Sequence, residues 1–129
     1  MYKILFIVAH LNSNLNKIGT IIGHNSSEIT NGAQKENITV NYVTLTPGTW
    51  IVLFYGRPDY INCSGRVFAG IGNVQNLVKN TGTNVSEGFT VMQFYKLTET
   101  TTISCIFYAE AAGLSCDANR FPVKAIRIK

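Results

Sequence analysis

The chain has 129 residues, 46% of them hydrophobic and 14% charged, with eleven Lys and Arg against seven Asp and Glu for a net charge of +4. That length fits one domain and buries a core without disulfide or metal staples, and so little charge beside so much apolar residue excludes an intrinsically disordered chain. The basic residues (Lys17, Lys35, Arg57, Arg66, Lys79, Lys96, Arg120) are scattered rather than gathered into a stripe with interleaved aromatics, which argues against a nucleic-acid partner, and no apolar run reaches the ~20 residues of a membrane span.

Helix formers never accumulate over three turns, whereas β-branched and aromatic residues recur in short runs separated by Gly, Asn, Pro and Ser. That spacing predicts an all-β fold, an antiparallel two-sheet β-sandwich, as a single domain over 1–129. Residues 2–9 are nearly continuous in apolar side chains and read as a buried strand. A short strand is expected at 18–22, closed by Gly23, and another near Ile29 within a long polar connection. Residues 38–45 form the next strand, with a slip of apolar phase at Tyr42 and Val43 that a β-bulge would produce. Thr46, Pro47, Gly48 and Thr49 form a turn, and residues 50–55 are expected to return as its hairpin partner. Strands follow at 66–71, 74–78, 89–97, 101–109 and 123–128. The pair 89–97 and 101–109, joined by Thr98, Glu99 and Thr100, is the strongest, and residues 112–119 read as a loop.

Two of these strands are apolar on both faces. Trp50, Val52 and Phe54 alternate with Ile51, Leu53 and Tyr55, and Ile103, Cys105 and Phe107 alternate with Ile106 and Tyr108. A lone sandwich alternates apolar-in with polar-out, so a second cover is needed, and a symmetric homo-oligomer supplies one. The candidate interface is Trp50, Val52, Phe54, Ile106 and Tyr108.

Signs of catalysis are sparse. Gly70 and Gly72 make a G-x-G without the third glycine or a following helix, so no dinucleotide site is expected. The two histidines, His10 and His24, have no partner motif for a nucleophilic dyad. Cys63, Cys105 and Cys116 have no metal-ligand spacing, so neither metal nor cofactor is expected. Their odd number argues against a disulfide framework and for assembly in a reducing compartment; Cys105 reads as a core residue, and a bridge between Cys63 and Cys116 stays open. Glu110 and Asp117 bracket one loop as the best pair of acids for a glycosidase, but the chain is expected not to be an enzyme. Recognition remains. Tyr55, Arg57, Asp59 and Tyr60 crowd one loop, and Ser115, Asp117, Asn119, Arg120 and Phe121 crowd another. Rings that stack beside amides and carboxylates that hydrogen-bond suit a polar ligand such as a sugar.

The order of these segments is familiar. The run Leu45-Thr46-Pro47-Gly48-Thr49-Trp50-Ile51-Val52 resembles the L-x-x-G-x-[YW] opening of C1q/TNF-like jelly rolls, above all those forming the distal heads of bacteriophage tail fibres and receptor-binding proteins. Ser64-Gly65-Arg66-Val67-Phe68-Ala69-Gly70-Ile71 is similar to the strand that follows in such heads, residues 101–109 to their long late strand, and residues 121–129 to their closing strand. The resemblance covers 38–129, whereas residues 1–37, read as N-terminal strands and a loop, depart from it. It implies a homotrimer, with one sheet packed around the threefold axis and tip loops binding a bacterial cell-surface glycan or protein. It further implies a virion protein in contact with other virion proteins and assembled in the host cytoplasm. Two alternatives stand beside it: a structural assembly or capsid or fibre decoration protein of the same fold, and a small carbohydrate-active enzyme.

Overall fold

A computed structural model of the chain describes residues 17–57, 61–82 and 88–129, apart from the side chain of Asn31. The strand expected at 2–9, together with His10, lies outside the described residues. The strands are β1 (Ile21–His24), β2 (Ile29–Gly32), β3 (Asn37–Leu45), β4 (Gly48–Gly56), β5 (Val67–Ile71), β6 (Val74–Lys79), β7 (Phe89–Leu97), β8 (Thr101–Ala109), β9 (Leu114–Cys116) and β10 (Val123–Arg127). One sheet has the order β1-β10-β4-β7, the other β3-β8-β5-β6, and β2 pairs with β9 in a small ribbon. Every pairing is antiparallel. The protein is therefore an antiparallel β-sandwich with the strand order of a jelly roll.

Two expected hairpins are not hairpins. β3 pairs with β8 while β4 pairs with β10 and β7, so the turn at 46–47 carries the chain from one sheet to the other. The link at 98–100 does the same between β7 and β8. The cause is burial: Leu45 ends β3 and Trp50 lies near the start of β4, both at 0% exposure, and each must face the same core from opposite sides. The Trp50 indole Nε1 donates to the Thr46 carbonyl at 2.9 Å and holds that corner. The Arg127 guanidinium lies 5.8 Å from the Trp50 ring and donates to the Pro47 carbonyl at 2.7 Å. It occupies the space a side chain at Gly48 would need (φ +147°), so only glycine fits. Among the described residues the one tight hairpin is β5–β6, turned by Gly72 at φ +58°.

Other expectations shift in detail. The first short strand begins at Ile21, and Ile18 sits in a turn ahead of it. The β3 irregularity falls between Thr39 and Asn41, not at Tyr42 and Val43, because Asn41 turns inward to hydrogen-bond while Tyr42 faces out. Residues 112–119 are not wholly loop, since β9 runs through them.

The inner faces meet in one core. Phe54 and Phe89 from the first sheet pack against Phe107 from the second and Phe121 from the connection before β10. Their ring centroids lie 4.6–6.0 Å apart, with Phe107 over Phe121 at 4.6 Å and Phe54 over Phe107 at 6.0 Å. Offset and edge-on aromatic pairs add about 0.5–1.5 kcal/mol each beyond area burial. Trp50, Val52 and Phe54 are fully buried within one chain, so they are not an intersubunit surface, and this corrects that part of the interface expectation. Their alternation partners Ile51, Leu53 and Tyr55 stay partly open on the outer side of the sheet. Lys79 is also buried, at 1% exposure. Its ammonium donates to the carbonyls of Asn80 at 2.8 Å and Gly65 at 3.2 Å, tying β6 to the loop before β5.

The ends of the sandwich differ. The short crossings at 46–47 and 98–100 lie at one end, beside the entry of residue 17 and the C-terminal residues, where Gly19 N donates to Arg127 O at 2.7 Å and Thr49 N to Lys129 O at 2.8 Å. The longer connections 25–28, 33–36, 57–66 and 117–122 lie at the other end. Phe107 touches both sheets and the loop-borne Phe121. Phe107→Ala should therefore lower unfolding free energy by about 3–5 kcal/mol in urea titration, whereas Thr102→Ala on the exposed side of the same strand should cost under about 0.5 kcal/mol.

Candidate functional site

The loop end is assembled by backbone and amide contacts. Tyr55 N donates to Pro122 O at 3.2 Å, so the start of the 57–66 connection runs beside the 117–122 connection. Gly56 (φ +156°) lies so close beneath the Arg120 carbonyl oxygen that a Cβ would strike it. The Ser26 hydroxyl accepts from the backbone N–H groups of Arg120 at 3.1 Å and Phe121 at 3.0 Å, and Ser26 O accepts from Asn119 N at 3.0 Å. Asn119 adopts the left-handed conformation at φ 64°, which Asn tolerates better than most residues. Asn41, at 2% exposure, donates through its amide to Phe121 O at 2.7 Å and His24 O at 3.0 Å and accepts from Tyr42 N at 2.8 Å. His24 Nδ1 lies 3.1 Å from the Asn41 carbonyl oxygen, and its ring stacks at 4.6 Å on Tyr42. Ser26 and Asn41 thus fix two connections, 25–28 and 117–122, by satisfying their backbone groups, as buried polar groups must.

The sequence-predicted residues separate under this geometry. Tyr55, Arg57, Asn119 and Arg120 come together where the two connections run side by side. Asp59 and Tyr60 lie outside the described residues. Phe121 belongs to the core, at 0% exposure. Asp117 lines a different recess of about 290 Å³ with Glu28, Ile29, Thr30, Asn62, Ser115 and Cys116. That recess is framed by the β2–β9 ribbon and by a reciprocal backbone bridge between Asn62 and Ser115, both bonds 3.1 Å. A second hollow of about 460 Å³ lies over Gly23, His24, Asn25, Pro122, Val123 and Lys124. Sequence reading passed over Ser26, Asn41, Glu28 and Asn62. Only Asn41 left a trace, as the slip of apolar phase that was assigned two residues too late.

Electrostatics sort the remaining candidates. Glu110 accepts two hydrogen bonds from the Arg66 guanidinium, at 2.6 and 2.8 Å. That pairing lowers the Glu110 pKa and raises that of Arg66. A glycosidase acid needs the opposite shift, because it must hold a proton to give to the leaving group. The shift therefore counts against Glu110 as the proton donor of such a pair. Among the described residues no three His, Cys, Asp or Glu side chains converge as metal ligands.

All three cysteines are free and buried, including Cys63 and Cys116. Asn62 sits opposite Ser115, which sets Cys63 opposite Leu114 and leaves Cys116 on the diagonal, too far for a bridge. Burial pushes the Cys105 thiol up to about 12, and the Cys116 thiol likewise to about 12 with the carboxylates of Asp117 and Glu28 adding to the effect. Both thiols should resist a disulfide reagent at about pH 8 and react at once in denaturant. Raised folded values imply stability that is complete below the ordinary thiol value of 9.0 and lost as pH rises toward 12. The urea midpoint should fall across that window, and less so in a Cys105→Ala, Cys116→Ala variant.

No protein-family model matches the chain, and a search of curated proteins finds none that matches it.

Proposed function

We propose that the domain is a non-enzymatic adhesion head: a homotrimer at the tip of a virion fibre whose loop end recognises a bacterial surface glycan or protein. One observation carries this reading. Ile21, Ile126, Ile51 and Phe94 stand in register across all four strands of the first sheet, on its outer side. The next outward row is Gly23, Lys124, Leu53 and Met92. Phe94 is 60% exposed, Ile21 64% and Met92 50%. A continuous apolar face of this kind marks an interface, and the resemblance to C1q/TNF-like heads supplies its threefold symmetry.

The ends of the molecule support the same reading. Residues 17–20 and 127–129 lie together at one end, and the irregular connections cluster at the other. The loop end holds amides, hydroxyls and both signs of charge over a rigid base, which suits selective contact with a polar polymer. Of the other two residues of the interface expectation, Ile106 is buried within one chain at 8% exposure and Tyr108 is half-buried; both lie on the second sheet, beside exposed Thr39, Tyr42, Thr44, Thr102 and Ser104. That face is hydroxyl-rich, and Thr44 and Thr102 hydrogen-bond to each other across it at 3.0 Å.

Light scattering coupled to size exclusion should give three times the chain mass of 14.2 kDa. Phe94→Glu should shift the protein to monomer at micromolar concentration without loss of the folded β spectrum, since it touches only the outer face; a buried interface charge costs about 2 kcal/mol or more. A wild-type monomer overturns the trimeric head. A trimer that adsorbs to no bacterial cell points instead to an assembly or decoration role.

A further inference from the structure

We infer that the recess between β2 and β9 is a saccharide subsite selective for a sugar unit bearing a free amino group, an inference that rests on the adhesion reading above. The recess is built, not incidental to loose loops. Its floor is Ile29 and Cys116, 5% and 6% exposed and paired with each other across the ribbon. Its far wall is fixed by the double backbone bridge between Asn62 and Ser115. The volume, about 290 Å³, is on the scale of a single small-molecule site. The side chains of Ile29 and Cys116 turn to the core, so the surface offered is ribbon backbone ringed by polar groups, which match the hydroxyl and amino substituents of a sugar ring.

The rim decides the ligand. Glu28 and Asp117 supply acceptors from opposite strands, Thr30 orients Glu28 by donating to it at 3.1 Å, and Asn62 offers amide donors. Neither carboxylate forms an ion pair among the described residues, and the side chains of Asn62 and Asp117 form no hydrogen bond there. Both carboxylates also act on the Cys116 thiol, which places them around one centre. An ammonium group satisfies two unneutralised carboxylates by charge-assisted hydrogen bonds, the neighbouring hydroxyl groups bond to Asn62 and Ser115, and a uronic or sialic acid is repelled. The local sign runs against the molecule as a whole, whose net charge is +4. General attraction would favour an acidic polymer, so a preference for a basic one reports the recess itself.

The test compares two surfaces that differ only at the amino group: immobilised glucosamine tetrasaccharide and its fully N-acetylated form. The trimer should bind the free-amine surface about tenfold more tightly. Asp117→Asn and Glu28→Gln should each remove most of that preference, leaving the unfolding midpoint unchanged because both side chains are exposed. Equal binding to the two surfaces, or a preference indifferent to both substitutions, overturns the subsite. If the protein adsorbs to bacterial cells but retains only acetylated or acidic saccharides, the subsite falls and the adhesion reading stands. If it binds no saccharide and no cell, both fall.

Discussion

The loop end depends on four phenylalanines. Phe54, Phe89 and Phe107 close the inner faces of the two sheets at that end, and Phe121, which belongs to neither sheet, packs 4.6 Å from Phe107. A connection that would otherwise wander is thereby pinned to the core at its centre. Asn119 and Arg120 precede the pin directly and inherit its position. Ser26 and Asn41 complete the constraint from the opposite side by bonding the backbone around Phe121. Hydrophobic burial and satisfied backbone polarity thus act on the same few residues. Loops gain the fixed geometry that recognition requires only when both are met.

The sandwich itself was legible because its signal is periodic and spread over many residues. Alternation in 38–45, 50–55, 89–97 and 101–109 names the strands, and missing helix formers leave an all-β fold as the consistent answer. Pairing was not legible. Two strands joined by a short turn look alike whether they pair as a hairpin or cross between sheets. What decides is which inner face each fills, and the Trp50 and Leu45 side chains reveal that only once the core is seen. The same limit explains the interface. Sequence showed that β4 is apolar on both sides, but the bulkier face, Trp50, Val52 and Phe54, went to the core, leaving Ile51 and Leu53 outside. Of the small ribbon, β2 was legible as the short strand near Ile29, whereas β9 was hidden because its three residues carry no readable period. The candidate site was legible by loop and not by contact: the crowding of Tyr55, Arg57, Asn119 and Arg120 was visible, whereas the meeting of Glu28 with Asp117 needs residues far apart in sequence to be folded together.

Open sheet edges pose a separate problem, since unpaired strands invite further strands. Many proteins meet it with lysine; here amides do much of the work. On one side Asn76 of β6 donates to Thr90 O of β7 at 2.7 Å, and Gln93 of β7 donates to Ile71 O at 3.3 Å. On the other, Asn41 of β3 donates to His24 O at the end of β1. Each bond joins one sheet to the other, so the sandwich is laced at its sides as well as filled within. A chain with only 14% charged residues can do this because neutral amides both donate and accept without the desolvation cost of a buried ion.

The outer faces then divide by chemistry. The second sheet shows Thr, Ser and Tyr hydroxyls and one bidentate Arg66–Glu110 pair, with Val74 and Leu77 exposed on its edge strand β6. The first shows a row of isoleucines ending in Phe94. Both faces come from strands of the same sandwich, so strand propensity alone does not explain the difference. β-Branched residues are favoured in strands, but exposed threonine meets that preference as well as isoleucine does, and the second sheet uses threonine. Choosing isoleucine and phenylalanine where threonine would hold the strand equally well costs solubility and gains nothing within one chain. The asymmetry is what the proposed packing between copies would require, with the apolar face turned inward and the hydroxyl-bearing face left to water.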